Sequence, residues 1–174
     1  MSNLPISKPA AGEYNPYYSK YIDLVPDGDV AGTLASQIGG TLAALRAISD
    51  ADSLKRYAPG KWSIREMLGH MNDTERIFAY RALRIARGDK TPLAGFEQDD
   101  YIAPGKFDAR SWSGLIDELE AIRKSNLAMF RGLDEAAWQR TGTASNNPVS
   151  VRALAYIIAG HERHHMNVLR EKYL

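Results

Sequence analysis

The chain contains no cysteine, which removes disulfides, thiolate metal ligands and cysteine nucleophiles together. An excess of either charge is missing too. Twenty-two basic residues stand against 21 acidic ones, a net charge of +1, so there is no overall electrostatic footprint for nucleic acid or an anionic membrane. No stretch approaches the roughly eighteen consecutive apolar residues of a membrane span, and Met1–Ala11 lacks the basic-then-apolar order of a secretory signal. The expectation from these absences is a cytoplasmic protein with neither nucleic-acid nor membrane partner. Strand patterns, internal repeats and low-complexity tracts are also missing.

What is present is helical periodicity. With 174 residues and 44% hydrophobic content, the chain is long enough to bury a sizeable core in a single domain. Leu34, Ile38, Leu42, Leu45 and Ile48 trace one apolar stripe from Asp29 onward, with Gly39 and Gly40 in its middle, placed to admit a neighbouring helix or simply tolerated. A second helix opens after Pro59-Gly60, where Ser63 and Glu66 have the spacing of a capping box. Its seam runs Met67, His70, Thr74, Ile77, Arg81. Leu115, Leu119, Ile122, Asn126, Met129 and Leu133 define a third helix, and a short turn around Asp134–Trp138 follows. Ser150 caps a fourth. Residues 1–28, with four prolines among four tyrosines, suit an extended N-terminal arm that packs its aromatics onto a surface, a strap over one end of the bundle domain at 29–174 or over a partner subunit. The connection between Gly88 and Phe107 is far longer than the usual 2–8 residues between bundle helices. It is expected to be a crossover first and a cover second, with Phe96 and Tyr101 as candidates for a pocket mouth. The fold class is all-α, a four-helix bundle with a long crossover loop.

The chemistry concentrates in two seams. Leu154, Ile158, His161, His165 and Val168 recur at steps of four and three, so the two imidazoles stand one above the other where leucines would be expected. His70 occupies the corresponding face of the second helix. A buried polar side chain must be hydrogen-bonded or metal-bound, and three imidazoles on facing seams suit a divalent ion with at least one coordination position open. Zinc or nickel fits nitrogen ligands best. Water at such a position becomes acidic near neutral pH, and a substrate thiol there would lose its proton.

His161-Glu162-Arg163-His164-His165 also matches the H-E-x-x-H signature of zinc proteases. The residues after His165 do not supply the extended metzincin pattern, and a third ligand has to come from upstream. Glu162 is the candidate general base by analogy, but one step from His161 it points about 100° away on a helix; the other reading is a solvated surface carboxylate. Asn126 reads as a satisfied buried amide or an outer partner of a ligand. Arg81, Glu75 and Arg163 read as surface or inter-helix salt bridges, and His164 as exposed.

The run Tyr57-Ala58-Pro59-Gly60-Lys61-Trp62-Ser63-Ile64-Arg65-Glu66-Met67-Leu68-Gly69-His70, followed by Asp73-Thr74-Glu75-Arg76 and the terminal His161–His165 group, resembles the DinB/YfiT-like superfamily. The resemblance implies an up-down-down-up bundle, commonly a homodimer, whose metal is held by His70, His161 and His165. It also implies one of two chemistries on a small-molecule substrate: hydrolysis, or transfer that uses a low-molecular-weight thiol such as bacillithiol, mycothiol or glutathione. The alternative is a non-catalytic, stress-related bundle whose ion only ties two helices together, with Asn126 or Glu66 as fourth ligand.

Overall fold

The structure, a computed structural model, describes residues 6–174. After a 3₁₀ turn at Pro16–Tyr18, the helices are α1 (Ser19–Ile22), α2 (Val30–Arg46), α3 (Ile64–Ala86), α4 (Asp99–Gly105), α5 (Trp112–Arg131), α6 (Glu135–Gln139) and α7 (Val151–Val168). The long helices start where side chains can accept from the unpaired amides of the first turn. Asp29 accepts from Gly32 N–H, Ser111 from Gly114 N–H and Ser150 from Ala153 N–H, while Ser63 and Glu66 complete the reciprocal capping box at α3.

Side-chain ties give the topology. Trp112 at the start of α5 donates its indole N–H to Leu45 and Ile48 carbonyls at the end of α2, so these helices run antiparallel. Arg65 at the start of α3 donates to the Arg110 carbonyl just before α5, so α3 and α5 run parallel. Early α3 meets late α7 at His70 and His161, which makes that pair antiparallel. The order is up-down-down-up, and the long connection exists because two successive parallel helices require the chain to travel back along the bundle.

That return segment carries α4 and is pinned to a feature absent from the periodicity. A two-stranded antiparallel hairpin pairs β1 (Thr141–Ala144) with β2 (Asn147–Ser150), against the expectation of no strand. Ser145 and Asn146 both take positive φ, 51° and 60°, the conformation a two-residue hairpin turn needs. Leu93 bridges to this hairpin through Thr143 O and Ser145 N–H. The proline-bearing arm is part of the same core: Tyr21, Ile22 and Val25 are buried with Phe78, Leu154, Ile157 and Ile158. Close approach is possible because Gly160 has no side chain; a Cβ there would lie 2.0 Å from the Tyr21 carbonyl oxygen. Gly39 and Gly40, by contrast, face open space, with nothing within 4 Å of a built Cβ. No described helix is long and apolar enough to cross a membrane.

Candidate metal centre

His70 from α3 and His161 and His165 from α7 come together as their seam positions predicted. His161 Nε2 lies 3.0 Å from both His70 Nε2 and His165 Nε2, and one nitrogen from each ring falls within 4.8 Å of the others. Burial holds the rings neutral. His70 is pushed down to about 4 by desolvation and then by His164, and His161 and His165 are driven well below the ordinary imidazole value by desolvation and then by neighbouring histidines. Neutral imidazoles can turn lone pairs inward, and on the 2.0–2.1 Å bonds usual for zinc, tetrahedral neighbours sit about 3.3 Å apart. The donor set therefore fits a divalent ion. Trp62 packs 4.9 Å from the His70 ring and Tyr21 lies edge-on to His161 at 5.3 Å, fixing both planes. Thr74 Oγ1 stands 3.3 Å from His70 Nδ1.

A cleft of about 410 Å³ opens at His70 and His161. Tyr17, Tyr18 and Tyr21 of the arm form one wall, Phe78 and Phe96 another, and Glu97 and Asp99 lie at the rim. The crossover thus also lines the site. Phe96 is in the lining as expected, whereas Tyr101 only supports it, ring edge to face at 5.4 Å. Lys20 caps the Tyr17 ring at 3.8 Å.

Glu162 takes a different place from either role expected of it. It is 3% exposed, not a solvated surface group, and it does not line the cleft. Its carboxylate accepts from Thr41 Oγ1 and Gln37 Nε2 of α2 and pairs with Arg123 Nη2 at 2.7 Å. Arg123, 1% exposed, also grips Glu75 through two bonds of 2.8 Å. Glu75 is thus an inter-helix salt bridge, and Asn126 is satisfied by donating to it at 3.1 Å. Glu66 is held by Arg56 and its own cap, so among the described residues the group contains only the three histidines. Arg81 is no surface ion pair: buried by Phe78 and Phe96, it donates to Ala94 O and Ser145 Oγ. Arg163 bonds Gln37 Oε1 and Leu24 O rather than a carboxylate. His164 is half-buried against Tyr21 and His165, not exposed.

Arg123 and the place of the arm tyrosines in the cleft wall were missed by sequence reasoning, though the packing of the arm was not. The available signal for Arg123 was its place directly beside the seam residue Ile122; the tyrosine run indicated a packed arm but not the cleft it would line.

The chain is similar to proteins already known. A relative from Oceanobacillus iheyensis, provisionally named a metal-dependent hydrolase, is 26% identical over 136 residues, covering 77% of this chain and 76% of its own length. The solved structure of YfiT from Bacillus subtilis, described as a probable metal-dependent hydrolase with an unusual four-helix bundle topology, matches with a TM-score of 0.69. That match covers 94% of this chain and 91% of the other at 16% identity, a likeness of fold. The family model described as DinB superfamily matches residues 34–169, a span that includes all three histidines, and the chain belongs to that superfamily.

Proposed function

We propose that the protein is a metal-dependent hydrolase of a small molecule, with His70, His161 and His165 holding a divalent ion, zinc or nickel, at the floor of the cleft. The observation that carries this reading is the convergence of three neutral imidazole nitrogens beside a cleft of about 410 Å³. The names of the two relatives support it. Such an ion supplies the Lewis acid that makes water, or a thiol, acidic near neutral pH.

The chain's own residues do the rest. Seam packing fixes the imidazoles, and the ring pairs with Trp62 and Tyr21 hold their planes. The tyrosine and phenylalanine walls exclude water and accept an apolar or aromatic substrate part. Glu97 and Asp99 are the lining carboxylates, able to take up a proton at their oxygens and unfavourable to an anionic substrate. Glu162, engaged with α2 and α5, acts from behind the triad rather than as general base. The thiol-dependent transferase form of the reading has less support, since both relatives carry hydrolase names.

The test is metal content by elemental analysis of untagged protein beside His70→Ala, His161→Ala and His165→Ala, followed by ester and amide hydrolysis with the bound metal. About one equivalent, lost in each variant, with thiol-independent hydrolysis, supports the proposal. Turnover that requires a low-molecular-weight thiol moves it to the transferase form, and a parent that takes up neither zinc nor nickel removes it. The homodimer implied by the family is likewise a proposal, decided by sedimentation.

A further inference from the structure

Close to His161 lies a second polar assembly. Arg123 serves two buried carboxylates at once, Glu75 through a bidentate pair and Glu162 at 2.7 Å. Thr41, Gln37 and Asn126 complete the carboxylates' hydrogen bonding, and the Leu34 carbonyl accepts the remaining guanidinium bond at 3.1 Å. Two acids share one base in a region shut off from solvent. Arg163 reaches the group only through the Gln37 amide.

Between this assembly and the triad is a cavity of about 10 Å³, lined by Thr74, Glu75, Phe78, Ile158, His161 and Glu162. That measure corresponds to about one water site, and the lining offers the two to four polar partners an internal water requires. His161 spends its Nε2 on the triad, and among the described residues its Nδ1 has no protein partner. Thr74, which lines the same cavity, is already within 3.3 Å of His70 Nδ1. His161 and the threonine beside His70 Nδ1 therefore both line one small polar space backed by carboxylates.

We infer that Glu75, Glu162 and Arg123, acting through Thr74 and one water in this cavity, are the positioning shell of the metal centre. They accept the Nδ1 protons of His70 and His161, which leaves both Nε2 lone pairs facing inward, and their surplus negative charge offsets that of the divalent ion. The physical basis is general. A histidine ligand donates its other ring N–H to a carboxylate, carbonyl or water, which fixes its tautomer and raises its basicity, and an anion behind a bound cation lowers the cost of holding it in a low-dielectric interior. Glu162 is thus coupled to the chemistry although it faces away from the cleft.

This inference rests on the metal reading above, and the experiment separates the two. Zinc dissociation constants are measured by chelator competition for the parent, Glu162→Gln, Glu75→Gln and Thr74→Val, with the thermal melt of each zinc-free protein alongside. The Nδ1–H proton resonances of the zinc-loaded forms are followed by NMR. Each variant is expected to bind zinc about ten- to a hundredfold more weakly, with the His70 resonance displaced in Thr74→Val and the His161 resonance in Glu162→Gln. Thr74→Val keeps the side-chain shape, so it decides the matter even if a carboxamide variant fails to fold. Zinc affinity within threefold of the parent in every folded variant overturns the inference alone, leaving the network merely structural. A parent that binds neither zinc nor nickel overturns both readings.

Discussion

The contact between Gly160 and the arm allows one substitution to be given opposite signs at different places. Replacing glycine by alanine inside a helix is favourable by about 0.8–1 kcal/mol when nothing opposes the new methyl. At Gly160 the methyl meets three backbone atoms of one residue: Tyr21 O at 2.0 Å, its carbonyl carbon at 2.4 Å and its Cα at 2.9 Å. No rotamer change relieves that overlap, so α1 has to withdraw by more than 1 Å, roughly the shortfall from ordinary van der Waals contact. Overpacking of this kind costs up to about 3 kcal/mol. Set against the helix gain, Gly160→Ala should lose about 2 kcal/mol, which for a chain of this size is a fall in Tm of about 4–8 °C. Gly39→Ala and Gly40→Ala, both facing open space in α2, should instead raise Tm slightly. Circular dichroism melts of the metal-free proteins measure all three. A Gly160→Ala protein that melts at or above the parent would refute the close docking of α1 on α7. Destabilisation by Gly39→Ala or Gly40→Ala would show that this face is covered in solution.

Arg123→Met leaves Glu75 and Glu162 buried without their shared cation, and urea unfolding should report a loss of about 3–5 kcal/mol. Burial favours a raised Glu13 pKa, but the hydrogen bonds from Arg152, the Ala10 amide and Ser150 outweigh it and hold the carboxyl at about 2. A depressed folded-state pKa contributes stability that is complete above the unfolded value, near 4.5, and is lost as pH falls toward 2. Urea midpoints across that window should therefore fall more steeply for the parent than for Glu13→Gln. Phe96→Ala removes part of one cleft wall without touching the triad; once a substrate is found, its KM should rise by about tenfold or more, consistent with about 1.5–3 kcal/mol for a buried aromatic contact, with metal content unchanged.

The sequence and the structure agree best where a signal is local. His70, His161 and His165 could be placed because helical spacing fixes which residues share a face, and Ser63 with Glu66 because a capping box is contained in four residues. Glu162 shows the limit of that reasoning: its angular offset from His161 was legible, but not that Thr41, Gln37 and Arg123 would converge on it from two other helices. Arg123 looks like an ordinary exposed charge until Glu75 is known to face it. The hairpin was hidden because Ser145-Asn146 lacks the glycine that usually announces a two-residue turn, and Ala144 and Val149 read equally well as loop. The arm's destination was the least legible of all, since Tyr21 finds its partners more than a hundred residues away in α7.

The family-matched span begins at residue 34, yet Tyr17, Tyr18 and Tyr21, which form one wall of the cleft, precede it. The imidazoles are carried by the long helices, and much of the cleft's shape by the segment that precedes them. Substitutions in that segment would reshape selectivity while leaving the ligand set intact, provided its backbone still docks against the bare helix at Gly160.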